Sequence, residues 1–242
     1  MRFIIPELPY EQPLAKGSWR YEQDGTPTGA VEQWRLSAAH DGYHFLRVDL
    51  DARAAPSGRS YLFHAVLDEM DRFVRLKYRL WQGNSEVMGN VHLEEDAVLF
   101  TSGQGEDRGG NRGGNRIEEI IAMPDGFKFW FPSSSALGFL ARSQFDGRET
   151  AVTLVVSEND GDDFALLPLV TTVEKINPGF GPAQEDDQRP IRLYWEDQQR
   201  SIWLDSSGWP RRVARQDGLA AVETQLVNYQ RINKPGEQQH DS

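Results

Sequence analysis

The chain contains no cysteine among its 242 residues. That absence removes disulfides, thiolate nucleophiles and every zinc site that uses sulfur ligands. Long apolar runs are missing as well, and no stretch approaches the ~20 apolar residues of a membrane-spanning helix. The opening, residues 1–19, starts with a short apolar patch, but Pro6, Pro9 and Pro13 interrupt it before it reaches the length of a secretory leader's core. A cytoplasmic protein with no membrane span is expected. Motifs that announce nucleotide or hydrolytic chemistry are also absent. There is no G-x-x-x-x-G-K-[ST] phosphate loop, no glycine-rich dinucleotide fingerprint after a strand and no G-x-S-x-G elbow, so no cofactor is expected.

Positive charge is in short supply. Lys and Arg number 26 against 37 Asp and Glu, for a net charge of −11. A field of that sign repels phosphate backbones and acidic lipid surfaces, so nucleic acid is not expected as a partner. Histidine is scarce too: His40, His44, His64, His92 and His240 are all there are. None stands in an H-x-H or H-E-x-x-H spacing, and a structural role is read for each, with no metal site. His44 and His64 do fall on adjacent predicted strands.

What the chain has instead is rings and alternation. Aromatics make up 11% of residues and seven of them are Trp, which points to an unusual core, a ligand cavity or an interface. Period-2 segments separated by turn residues run through most of the length. The early strands read as 29–38, 43–51, 60–67, 73–81, 86–94 and 97–102, with turns at Asp41-Gly42, Pro56-Ser57-Gly58 and Gly83-Asn84. Strands resume at 117–123 and 127–131. Ser133-Ser134-Ser135 then caps a short apolar run, predicting a helix of two to three turns over 135–142. Further strands read as 150–157, 165–176, 191–196, 201–205, 211–216 and 221–230. Short turns between consecutive strands predict an antiparallel meander. The expected fold is mostly β: one large curved antiparallel sheet, half-barrel or barrel, with one short covering helix, forming a single domain over 1–232 and ending in a polar, disordered tail over 233–242.

Two loops carry motif-like composition. Residues 105–116 contain a tandem RGGN repeat with no apolar residue, read as a mobile hairpin loop or lid rather than an RNA-binding tail. The acidic turn 158–163 resembles a calcium loop by composition only and lacks the ordered ligand spacing, so a solvated turn is expected.

From Pro132 onward the order of features is distinctive. A Ser-capped PSSSALGFLAR helix and the Gly147 turn are followed by two strands, then Leu193-Tyr194-Trp195. Next comes Ser201–Asp205, a Gly208-Trp209-Pro210 turn and Arg211-Arg212-Val213, and the segment closes on residues 221–229. This stretch of about 100 residues resembles the closing portion of bacterial half-barrel proteins related to lipoprotein carriers and to the violacein-pathway enzyme of that fold. The resemblance implies a large curved antiparallel sheet with helical elements over its concave side, and a cavity. It carries no catalytic residue across.

Candidate site residues come from strand faces, because alternate residues of a strand share a face. Over 43–51, Tyr43, Phe45, Arg47 and Asp49 oppose His44, Leu46, Val48 and Leu50. Over 73–81, Phe73, Arg75, Lys77, Arg79 and Trp81 oppose Val74, Leu76, Tyr78 and Leu80. One face is therefore mostly apolar, and the other mixes rings with Arg and carboxylates. The plain reading is a core face and an outer face with cross-strand ion pairs. The functional reading places the aromatic–Arg face in a cleft. Arg47, Arg75 and Arg79 then meet an anionic group, and Trp34, Tyr43, Tyr61, Trp81 and Trp130 hold an apolar body. Three functions remain open: binding of a hydrophobic or amphipathic small molecule on the concave face, a cofactor-free enzyme acting on a small aromatic or amphipathic substrate through His64, Glu32 or Arg75, and a protein-interaction module.

Overall fold

The structure is a computed structural model, and it describes residues 7–39, 41–56, 58–83, 85–104, 117–158, 164–177 and 190–228. The RGGN repeat, the acidic turn beyond residue 158 and the polar tail lie outside the described residues, as does His40. In chain order the elements are β1 (Gln12–Gln23), β2 (Thr26–Ala38), β3 (His44–Asp51), β4 (Arg59–Leu67), β5 (Phe73–Gln82), β6 (Ser85–Leu93), β7 (Ala97–Gln104), β8 (Ile117–Ala122), β9 (Lys128–Trp130), α1 (Ser134–Arg142), β10 (Gly147–Glu158), β11 (Phe164–Ile176), β12 (Ile191–Trp195), β13 (Gln198–Leu204), β14 (Pro210–Arg215) and β15 (Leu219–Asn228). All fifteen strands belong to one sheet, ordered β8-β7-β6-β5-β4-β3-β2-β1-β15-β14-β13-β12-β11-β10-β9. No helix among the described residues is long and apolar enough to cross a membrane.

This order has a simple logic. The first and last strands, β1 and β15, pair at the middle, and a meander grows outward from each. The two outermost strands, β8 and β9, are consecutive in the chain. Six peptide links join Ala122 to Lys128 and reach at most about 20 Å. Laid flat, fifteen strands at ~4.8 Å spacing would set those edges about 67 Å apart. The sheet therefore has to curl, and β11 indeed comes into contact with β6 and β7 across the interior. It is curved without being closed. Every pairing is antiparallel except β9 with β10, and a parallel pair needs a crossover connection, which α1 supplies.

That crossover brings α1 into the curl. Eight of its nine residues, Ser134 to Ala141, are buried, as expected of a helix that is packed on all sides. The inner face of the sheet closes around it with Trp19, Trp34, Phe63 and Phe100, joined by Phe131 from the β9–α1 connection, all almost fully buried. Trp34 stacks on Trp209 with ring centroids 5.5 Å apart, and Trp130 meets Trp195 edge-on at 5.1 Å. Gly138 lets the helix approach β14 closely, since a Cβ there would stand 2.4 Å from Pro210 Cγ.

Three features differ from the sequence expectation. The first strand, β1, was not anticipated. Of its inward residues, Trp19 and Tyr21 are large but Ala15 and Gly17 are small, and a Cβ on Gly17 would stand 2.5 Å from the Trp34 ring, so the apolar alternation is weak in its first half. The Asp24-Gly25 turn that joins β1 to β2 has both residues at positive φ, 51° and 80°, as tight two-residue hairpins require. Finally, the β4–β5 register shifts between Val66 and Leu67. This bulge turns Phe73 inward onto Phe129, Phe131 and Phe139 and leaves Val74 on the outer face beside Arg75. The expected faces of those two residues are exchanged.

Candidate functional site

The sheet has an inner face wrapped around α1 and an outer face turned away from it, and the predicted site residues are divided between them. Trp34 and Trp130 are buried in the inner core, where Tyr61 stacks on Phe63 at 5.7 Å. Tyr43, Arg47, Arg75, Arg79 and Trp81 lie on the outer face, joined there by His64. Glu32 is on the inner face. The three candidate acid/base residues are thus not assembled: His64 and Arg75 share the outer face, and Glu32 is across the sheet from them.

Glu32 is fully buried and its carboxylate accepts five hydrogen bonds. Tyr21 Oη donates at 2.7 Å, Ser133 Oγ at 3.0 Å, Ser135 Oγ at 2.6 Å, and the backbone N–H groups of Ser134 and Ser135 at 3.1 and 3.0 Å. Ser133 also caps the helix by accepting from Ala136 N at 3.2 Å, and Trp19 Nε1 donates to Ser135 Oγ at 3.1 Å. A carboxylate at the first turn of a helix meets free N–H groups and the positive end of the helix dipole. Burial, and then the neighbouring Glu32, push the Tyr21 phenol well above its ordinary value, so Tyr21 stays a neutral donor. With its acceptor capacity used on sheet, serine and helix groups, Glu32 anchors α1 inside the curl. The three serines read from the sequence as a cap do cap the helix. Their partner 101 residues away could not be read from local pattern.

On the outer face, Arg47 is buried and both its terminal nitrogens bind Glu11, at 2.7 and 2.6 Å. Ser37 Oγ donates to the same carboxylate. Burial alone would raise the Glu11 pKa, but hydrogen bonds from Arg47, Ser37 and the Leu8 N–H hold it at about 2. His64, directly opposite Arg47 on β4, is lowered to about 4 by burial and then by Arg47, so it is neutral at neutral pH. Next to this cluster an open groove of about 510 Å³ is walled by Tyr10, Tyr43, Phe45, Val66, Val74 and Arg75.

A larger cleft, of about 680 Å³, opens at one end of the curl, where the β4–β5 and β6–β7 turns and the β8–β9 connection meet the C-terminal end of α1. Its floor, Phe73, Leu93, Phe127, Phe129, Phe139 and Leu140, continues into the core. Its rim is charged. Asp68 accepts from Arg72 Nε at 2.7 Å, and Asp71 stands 3.9 Å from Arg142. The Arg142 guanidinium lies 4.4 Å from the Trp209 ring centre and 5.3 Å from that of Phe139, and its pKa is lowered by burial. No sequence pattern marked this cleft, because its walls come from four separate turns. Among the described residues no group of three or more His, Asp or Glu side chains is placed to hold a metal ion.

No protein-family model, curated protein or solved structure matches the chain.

Proposed function

We propose that the chain binds a small amphipathic molecule in the end cleft, with the apolar part on the phenylalanine floor and the polar part at the charged rim. The observation that carries this reading is a floor of six apolar side chains, continuous with the core and with Phe73 and Phe127 only partly buried, beneath a cleft of about 680 Å³ at one end of the curl. Concave, mostly apolar pockets with a few convergent polar groups are the usual form of small-molecule sites. The inner face itself is filled by α1 and by tryptophan, so the ligand sits at the mouth of the curl rather than along its length. The likeness of the C-terminal stretch to half-barrel carriers supports the same class.

Native mass spectrometry of the protein purified from its own host tests the proposal. A retained small molecule is expected, and Phe127→Asp should release it while leaving a folded chain. Retention of the same molecule by Phe127→Asp would place the ligand elsewhere. A protein that carries nothing, and takes up neither apolar nor amphipathic probes from a panel, would remove the reading.

A further inference from the structure

The outer face of the sheet carries a row that the overall charge does not lead one to expect. Lys16 is directly opposite Arg35, Arg35 opposite Arg47, Arg47 opposite His64, and His64 opposite Lys77. Five basic-type side chains therefore cross β1 to β5 in one line, about 19 Å long at ~4.8 Å per strand. Lys77 is also the middle of a second line along β5, Arg75–Lys77–Arg79. Like charges directly opposite each other destabilise a sheet, and this chain has far more acid than base with which to avoid them. The row is partly relieved at its fourth position, between Arg47 and Lys77, because His64 is neutral.

The row already holds carboxylates at two positions. A turn at 8–11, closed by Glu11 N donating to Leu8 O at 2.9 Å, folds the N-terminal arm over the outer face. Glu11 is clasped by the Arg47 fork, and Glu7 lies 3.6 Å from Arg35. The arm thus sets two carboxylates over two neighbouring rungs. Beyond it, among the described residues, Arg75 and Lys77 carry no ion pair, and both are exposed. Arg79 is held by Glu86 at 3.2 Å, and Asp49 lies on the adjoining row of the same face. The open groove of Tyr43, Phe45 and Val66 adjoins Arg75.

We infer that this strip is a docking surface for an acidic polypeptide segment of a partner protein, which extends the carboxylate line that the arm begins. The chemistry is that of the arm itself: side-chain carboxylates spaced by about one strand, met by Arg forks and Lys ammonium groups. The Arg75–Lys77 end supplies the charge, and the adjoining groove receives an apolar side chain of the same segment. The groove shares Val74 with the end cleft, but Arg75 and Lys77 do not line that cleft, so their reversal tests the strip separately from the small-molecule reading.

The test is fluorescence anisotropy with a fluorescein-labelled deca-glutamate peptide and the full chain. Saturable binding is expected at low salt, weakened about tenfold or more at ~0.2 M salt, where exposed charges are screened. Arg75→Glu with Lys77→Glu should abolish it while leaving the melting curve in place, since both residues are exposed. Glu7→Gln, which takes one competing carboxylate off Arg35, should tighten it several-fold. Absence of saturable binding, or binding indifferent to the double charge reversal, overturns the inference. Tighter binding of single-stranded oligothymidylate, or of phosphatidylserine-containing vesicles, would also overturn it and assign the strip to a different class of partner.

Discussion

The two faces of this sheet handle buried charge in opposite ways. On the inner face the Glu32 carboxylate is surrounded by five donors and no cation, and a helix is fastened through it. On the outer face positively charged residues stand opposite one another, and the first two rungs with nearby carboxylates borrow them from the N-terminal arm. A carboxylate satisfied by neutral donors contributes to folding through its geometry. A row of like charges costs stability unless something negative is laid on it. The inner arrangement is met wholly within the sheet and helix, whereas the outer one draws its carboxylates from the N-terminal arm.

The largest expected effect lies on the inner face. Glu32→Ala strands the Ser133, Ser134, Ser135 and Tyr21 donors in a dry core, and a loss of about 3–5 kcal/mol is expected in urea unfolding. A loss below about 1 kcal/mol would show that the helix is held by packing alone. On the outer face the matching experiment is acidification. Glu11 has a depressed folded pKa of about 2, so its contribution is present above the unfolded carboxylate value and is lost as pH falls through about 2. His64 is depressed to about 4, so the unfolded chain binds the extra proton between about 6.5 and 4, and stability falls as pH drops through that window. Chemical denaturation from pH 7 to pH 4 should therefore show a falling stability, at most ~1.4 kcal/mol per pH unit from this group, and His64→Asn should flatten it. An unchanged slope in that variant would move the pH dependence to another residue.

Smaller effects sharpen the contrast. Gly138→Ala should cost about 1–3 kcal/mol, because the added methyl drives α1 off Pro210, and its melting temperature should fall accordingly. Lys77→Gln, at the exposed end of the row, should change stability by no more than about 0.5 kcal/mol in either direction. A marked destabilisation there would mean that Lys77 serves the fold after all.

Much of the fold was legible. Alternation and turn chemistry located fourteen of the fifteen strands approximately, and the Ser-rich cap located the helix. The missing strand, β1, has Ala15 and Gly17 where a core strand usually has large residues, and only the Trp34 ring over Gly17 explains why that position must be small. The candidate site was less legible. A cleft that joins Trp34, Tyr61 and Trp130 as an apolar wall to Arg47, Arg75 and Arg79 does not form, because the sheet keeps the two groups on opposite faces. The bulge between Val66 and Leu67 moved Phe73 to the core and Val74 out of it, an effect that strict alternation does not foresee.

The sequence by itself determined the strand-rich architecture, the serine-capped helix and the absence of thiol chemistry, because these depend on local periodicity, capping and composition. Only the tertiary structure decided that the sheet curls, that Glu32 holds the helix from 101 residues away, that four turns meet in a cleft, and that five basic-type residues fall into one line. Each of these depends on register and on the pairing of distant strands. A shift of one residue in any ladder would send alternate side chains to the other face and dissolve both the anchor and the row.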